Sequence, residues 1–215
     1  MIKNSLESIK LVDRVTYLRH LCKGKRVLHL GATGHPETRE AVSRGRLLHN
    51  HLSEVAEYIV GMDISTEMIK WLSENCQINN IKYGNIENTE DYPKEDFDII
   101  VAGEILEHLS NPGNAIDSIR AVVKPFTKLL ITVPNAYSFK GFSRALLKHE
   151  LIHPDHTLHH SPHTLKALLE RHGFAGDTYF SFVNGGTGMV ASTTNFFLRF
   201  NPQLAEGIGV ICSPK

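Results

Sequence analysis

Arg26-Val27-Leu28-His29-Leu30-Gly31-Ala32-Thr33-Gly34-His35-Pro36 reads as a short apolar strand that breaks into a glycine-containing turn. A helical span follows, and Tyr58-Ile59-Val60-Gly61-Met62-Asp63-Ile64 supplies a second apolar strand ending on an acidic residue. Strand, turn, helix and strand make the repeating unit of an open α/β sheet, which takes ligands at the carboxyl ends of its strands. Gly31 and Gly34 let the backbone approach such a ligand with no Cβ in the way. Asp63, at the tip of the second strand, can accept hydrogen bonds from both hydroxyls of a ribose. The stretch predicts a nucleoside-binding sheet.

The pattern continues on both sides. Upstream, Leu6, Ile9, Val12, Val15 and Leu18 recur every three residues, which predicts an amphipathic helix over 5–21, within an N-terminal segment 1–24, lying on the sheet edge or over the ligand. Residues 37–56 read as one or two helices, with a break near Gly45. Ser65 or Thr66 can cap a helix carrying Met68, Ile69 and Leu72. Ile81-Lys82-Tyr83 is a short strand ending at Gly84-Asn85. Phe97-Asp98-Ile99-Ile100-Val101-Ala102 is apolar enough for a central parallel strand covered on both faces. A loop with a short helix, the break Asn111-Pro112-Gly113, a helix over 114–123 and a strand from Lys128 to Val133 follow. Residues 136–160 are too long for a simple connection and read as an inserted helical cap. Ser161-Pro162 starts a helix that stops at Gly173. Strands over 177–183 and 207–212 close the sheet, separated by the break Asn184-Gly185-Gly186. The expectation is one domain over 1–215, built on a doubly wound, mostly parallel, seven-stranded sheet with an antiparallel last strand.

The chain has 215 residues, with Lys plus Arg and Asp plus Glu equal at 23 each. A balanced charge with no basic run argues against nucleic acid as an obligate partner. No apolar run approaches the roughly 20 residues that span a bilayer, so no membrane insertion is expected. The first residues lack the apolar centre of a signal peptide. The three cysteines have no C-x-x-C spacing and read as free thiols of a reducing cytoplasm.

Which nucleoside follows from the turn. A dinucleotide site uses G-x-G-x-x-G with a helix N-terminus aimed at the pyrophosphate. Gly31-Ala32-Thr33-Gly34 lacks that fingerprint, which disfavours the rival reading as an NAD(P)-dependent oxidoreductase. At these residues the chain resembles the class I S-adenosylmethionine-dependent methyltransferases, from about Arg26 to Phe174, and the resemblance implies a Rossmann-like sheet and S-adenosyl-L-methionine as cofactor. Val27 to Gly34 resembles the first motif, whose loop (Gly31, Ala32, Gly34) lies against the cofactor. Asp63 matches the ribose acid and Ile64 the apolar residue beside the adenine. Gly84-Asn85-Ile86-Glu87 resembles the adenine-binding turn, in which Asn85 and the backbone of Ile86 take the contacts. The run from Phe97 to Leu109 is similar to the fourth motif of the ubiquinone-biosynthesis and sugar methyltransferases, and implies that Ala102, Glu104 and His108 border the cofactor. Leu129 to Asn135 and His153 to Phe174 resemble the following regions of that subgroup. Two departures stand out: His29 occupies the usual place of an acid, and Asn85 that of Asp.

The stretch holding His149, His153, His156, His159, His160 and His163 invites three readings. A metal site is disfavoured, because no H-x-x-x-H or H-E-x-x-H pair sits on a clear helix and the resembling subgroup is not generally metal-dependent. A general base is the second, with His153 or His156 accepting a proton from a hydroxyl acceptor. A hydrogen-bonded loop is the third. Phe196, Phe197, Leu198 and Phe200 read as core or lid residues, or as an apolar surface for a lipid-linked acceptor. The expected activity is methyl transfer to a small or carrier-linked acceptor such as a sugar, phenol or lipid intermediate, with room for a homodimer. The rival from another class is a non-catalytic binding module that keeps the fold.

Overall fold

Val27, Val101 and Leu130 pack to one side of a central sheet, while their strand neighbours Leu28, Ile100, Leu129 and Ile131 pack to the other. Side chains alternate across a strand, so a strand that is apolar at every position must be covered twice. The computed structural model describes residues 9–183 and 196–215. It runs β1 (Lys10–Asp13), α1 (Arg14–Cys22), β2 (Arg26–Leu30), α2 (Thr38–Ser43), α3 (Leu48–Ser53), β3 (Tyr58–Asp63), α4 (Thr66–Cys76), β4 (Ile81–Tyr83), β5 (Ile99–Gly103), α5 (Pro112–Val122), β6 (Lys128–Pro134), α6 (Phe139–Leu146), α7 (Pro162–Arg171), β7 (Phe174–Val183) and β8 (Gly207–Pro214). Leu18 and Cys22 of α1 and Leu52 of α3 bury one face, and Ile116 and Ile119 of α5 with Leu165 and Leu169 of α7 bury the other. Each such side chain contributes roughly 1.5–3 kcal/mol of burial.

Among the described residues the sheet has eight strands in the order β1-β7-β8-β6-β5-β2-β3-β4, and of these β8 alone runs antiparallel to its neighbours, β6 and β7. The doubly wound, mostly parallel architecture is therefore as expected, with one strand more. The extra strand corrects the N-terminal reading. Lys10–Asp13 is not helical but pairs in parallel with β7, Lys10 opposite Phe180 and Asp13 opposite Val183. The helix begins only at Arg14, where the Asp13 side chain accepts from Thr16 N at 2.9 Å and caps it. Leu6 lies outside the described residues, and the spacing of Ile9, Val12, Val15 and Leu18 did not distinguish an edge strand from a helix.

Elsewhere the breaks fall where the turn chemistry puts them. Gly45, at φ 61°, separates α2 from α3. Ser65 caps α4 through Met68 N, and Ser161 with Thr164 forms a capping box on α7. β7 starts at Phe174, earlier than expected, because a bulge between Gly176 and Thr178 absorbs Asp177. Asn184-Gly185-Gly186 lies outside the described residues. Of the apolar cluster before β8, Leu198 is buried, whereas Phe196, Phe197 and Phe200 are exposed. Among the described residues no helix is long and apolar enough to cross a membrane.

Candidate active site

From β2 the chain steps to β3 on one side, and β5 lies against β2 on the other, so the strand order reverses between β2 and β5. The loops leaving these two strands diverge there and open a crevice. A cleft of about 720 Å³ fills it, walled by the turns after β2, β3, β4 and β5 and by the segment that follows α6. Gly31, Ala32, Gly34, Asp63, Ile64, Asn85, Ile86, Glu104, His108, His153 and His156 all line it. Ala102 does not. It is wholly buried in β5, opposite Leu30, in the core beneath α5. Ala102 lies one residue deeper in the sheet than the cleft lining, which begins at Gly103 and Glu104.

One end of the cleft is organised by Asp63. Its Oδ2 accepts from Thr33 N at 2.9 Å and Thr33 Oγ1 at 2.8 Å, and its Oδ1 accepts from Ser65 N at 2.9 Å. These bonds tie the glycine turn to the tip of β3 and fix the carboxylate, while leaving lone pairs for a ligand's hydroxyls. Gly31 sits at φ 69°, a conformation that favours glycine, and a Cβ there would also press on Ile105 Cδ1 at 2.9 Å. Ile64 is 61% exposed beside Asp63, an apolar wall with nothing against it. Asn85 Oδ1 accepts from Glu87 N at 3.0 Å and Asn85 N donates to Asp91 Oδ2 at 2.8 Å, which holds the β4 turn open to the cleft.

The middle of the cleft contains a group that sequence reasoning missed. Arg14, first residue of α1, reaches over Gly103, where a Cβ would stand 2.9 Å from its Nη2. Its Nε is buried without a hydrogen-bond partner among the described residues, and it lines the cleft together with Glu104. Glu104 has φ 55° and one carboxylate oxygen with no partner. Burial raises its pKa, opposed by the Arg14 charge and by Thr132. Glu107, wholly buried with neither oxygen partnered by another side chain among the described residues, is pushed up to about 8 by burial and by Glu104. The signal for Arg14 was a cation at the start of the N-terminal helix, unreadable while that helix was placed over 5–21.

His29 takes an unexpected partner. Its Nδ1 lies 3.2 Å from His49 Nδ1, and His49 Nε2 lies 3.1 Å from Asn80 Oδ1. Asn80 Nδ2 donates to Ile59 O, which turns Oδ1 towards His49, where it can only accept. His49 therefore carries its proton on Nε2, its bare Nδ1 takes the Nδ1–H of His29, and His29 keeps Nε2 as an acceptor on a ring that lines the cleft. Burial, then His49 and Arg14, hold the His29 pKa well below its ordinary value, and burial lowers that of His49. The pair is uncharged. An acceptor thus occupies the place of the customary acid.

The far wall is imidazole. His108, in the 3-10 turn Leu106–His108 after β5, has ring centres of His156 and His153 at 4.6 and 5.5 Å, and those two are 5.3 Å apart. Thr157 fixes the segment: its N donates to Glu107 O at 2.8 Å and its Oγ1 to Leu109 O at 3.0 Å. Burial first, then neighbouring imidazoles, lower the pKa values of His108 and His156, with Glu37 pulling the other way. His149, His159 and His163 do not line the cleft, nor does buried His160.

A family model described as "Methyltransferase domain" matches residues 9–179. The chain belongs to that methyltransferase family. Its β2 turn, Asp63 and the β5 exit, on which the resemblance rested, all fall inside the matched span. Ubiquinone biosynthesis O-methyltransferase of Coxiella burnetii is 31% identical to this chain over 135 residues, 60% of the chain and 52% of the relative. The chain spans about half the length of the curated relatives it matches. Among solved structures, a SAM-dependent methyltransferase from Archaeoglobus fulgidus shares the fold with a TM-score of 0.59 at 19% identity, covering 93% of this chain and 92% of that one. Magnesium protoporphyrin IX methyltransferase from Synechocystis, solved with bound SAH, does so with a TM-score of 0.58 at 12% identity, covering 94% and 80%.

Proposed function

We propose that this methyltransferase uses S-adenosylmethionine and methylates an oxygen of a small or carrier-linked acceptor. One observation carries the reading: the Asp63 carboxylate, the Gly31–Gly34 turn and exposed Ile64 meet in one cleft that has no phosphate-binding glycine triad. Asp63 would accept from the ribose hydroxyls, Ile64 would offer its apolar face to the adenine, and Asn85 Oδ1 with Ile86 N would serve the adenine's polar edge. The unpartnered Arg14 Nε and Glu104 Oε1, with the bare nitrogen of His29, suit the carboxylate and amino groups of an amino-acid tail. The bound cofactor supplies a sulfonium-activated methyl group.

The chain's own work is then alignment, exclusion of water and handling of the acceptor's proton. His153 and His156 face the cleft from the inserted segment, where either ring can accept that proton, and burial lowers the pKa of His156. Oxygen is favoured as the acceptor atom by the ubiquinone biosynthesis O-methyltransferase relative and by this imidazole wall, which suits a hydroxyl that must lose a proton.

Calorimetric titration with S-adenosylhomocysteine tests the reading. Micromolar binding is expected, and Asp63→Ala should weaken it by about 10- to 100-fold, as for loss of charge-assisted hydrogen bonds. Because Asp63 also holds Thr33 and Ser65, Asp63→Asn and a thermal melt of both variants separate affinity from folding. A folded wild type that fails to bind would overturn the reading in favour of a non-catalytic module.

A further inference from the structure

We propose that His108, His153 and His156 form a binding site for one divalent transition-metal ion of the zinc, cobalt or nickel kind, at the acceptor side of the cleft. The rings come from two separate parts of the chain, the turn after β5 and the segment that follows α6, and Thr157 pins one to the other through backbone carbonyls. One nitrogen from each ring can be chosen so that all lie within 4.8 Å of one another. Around a tetrahedral ion with metal–nitrogen bonds of about 2.0–2.1 Å, the nitrogens stand roughly 3.3 Å apart and the ring centres roughly 5 Å apart. The observed ring-centre separations of 4.6, 5.3 and 5.5 Å bracket that value, so small rotations about the side-chain bonds complete the site. No hydrogen bond links the three rings to one another among the described residues. Three imidazoles therefore converge without bonding to one another, and each neutral ring has one nitrogen free to act as a ligand.

A carboxylate behind a ligand ring is the usual support of a metal-bound histidine. Glu37 fills that position, its Oε1 accepting from His153 Nε2 at 2.9 Å. This bond places the proton on Nε2 and leaves Nδ1 as the ligand atom; its present contact, Asp155 N at 3.2 Å, is a long one. Neutral imidazoles select borderline ions over magnesium or calcium. Three protein ligands leave a position open to the cleft, as catalytic sites do. An acceptor oxygen bound there would be oriented and made more acidic, its proton passing to water at the mouth of the cleft. That role rests on the methyl-transfer reading; the ion site does not. It also gives His153 and His156 a job as ligands in place of free bases. Sequence spacing could not show it, because the search for paired histidines on one helix misses a site assembled from two segments.

The test is spectroscopic and needs no acceptor. The full chain, stripped with chelator, is titrated with cobalt(II) and followed by visible absorption and metal analysis. One equivalent should bind with the intense bands of four- or five-coordinate cobalt and be displaced by zinc. His153→Ala and His156→Ala should each weaken binding about 10-fold or more, while His159→Ala, on an exposed neighbour in the same stretch, leaves it unchanged. Glu37→Gln, at a solvent-facing side chain, should weaken it several-fold with no risk to folding. Absence of these bands from wild-type protein, or cobalt binding that survives both alanine substitutions, would overturn the proposal. Circular dichroism of the same samples reports folding, and titrating S-adenosylhomocysteine into them keeps the two readings apart. Loss of nucleoside binding in the wild type would count against the cofactor alone.

Discussion

A neutral histidine in the place of an acid changes how the site responds to protons. His29 and His49 are buried and held uncharged, so the folded chain binds fewer protons near the ordinary histidine pKa of 6.5 than the unfolded chain does. With both folded pKa values depressed, their contribution is complete above that value and is lost as pH falls through it. Glu104 and Glu107, raised by burial, act with the opposite sign, so the pair is isolated only as a difference between proteins. The double variant His29→Asn/His49→Gln is expected to be less stable than wild type at pH 8, yet to lose less on going from about pH 6.5 to pH 5. Chemical denaturation across that range reads the slope. Equal slopes would remove the pair from the acid response. The same residues show what was legible singly: Asp63 and Gly31 announced themselves by position after a strand, whereas the pairing of His29 with His49 is a contact between β2 and α3 that neither segment signals.

At the scale of elements, α1 matters because its first residue reaches the cleft. Asp13 ends β1 and caps α1, so one side chain sets the direction in which Arg14 leaves the sheet. Asp13→Ala should cost about 1 kcal/mol, lowering the melting temperature by roughly 2–4 °C in a chain of this size. It should also weaken S-adenosylhomocysteine, although Asp13 does not line the cleft. A lowered melting temperature with unchanged affinity would show that the cap does not position Arg14. The strand before it was not readable in advance. Lys10-Leu11-Val12-Asp13 is short and only part-buried, and its conformation follows from the free edge of β7, not from its own pattern. The β2, β3, β5 and β6 strands were readable, because a continuous apolar run flanked by turn residues permits little else.

For the whole molecule, the cleft joins parts that are far apart in sequence: α1, the turns after four parallel strands and the segment after α6. A ligand that binds only this assembled form must stabilise the entire fold by mass action. At 100 times its dissociation constant, S-adenosylhomocysteine should add about 2.7 kcal/mol, or roughly 5–10 °C in melting temperature. Differential scanning fluorimetry measures the shift, and Asp63→Ala should reduce it at the same ligand concentration. A wild-type shift near zero at saturation would mean that the ligand does not select the folded cleft.

Local sequence determined the rhythm of strands and helices, the glycine turn, the acid at the end of β3 and hence the kind of sheet and where on it a nucleoside would lie. These rest on short-range physics: side-chain periodicity, glycine's access to positive φ, capping residues and the chain's arrest at Pro134-Asn135. Only the tertiary structure decided that Lys10–Asp13 adds an eighth strand, that Ala102 faces the core and not the cleft, and that Arg14, the His29–His49 pair and the His108, His153 and His156 cluster meet where they do. Such contacts depend on which surfaces remain unpaired after the sheet has formed, and no periodicity within one segment records what another segment will bring to it.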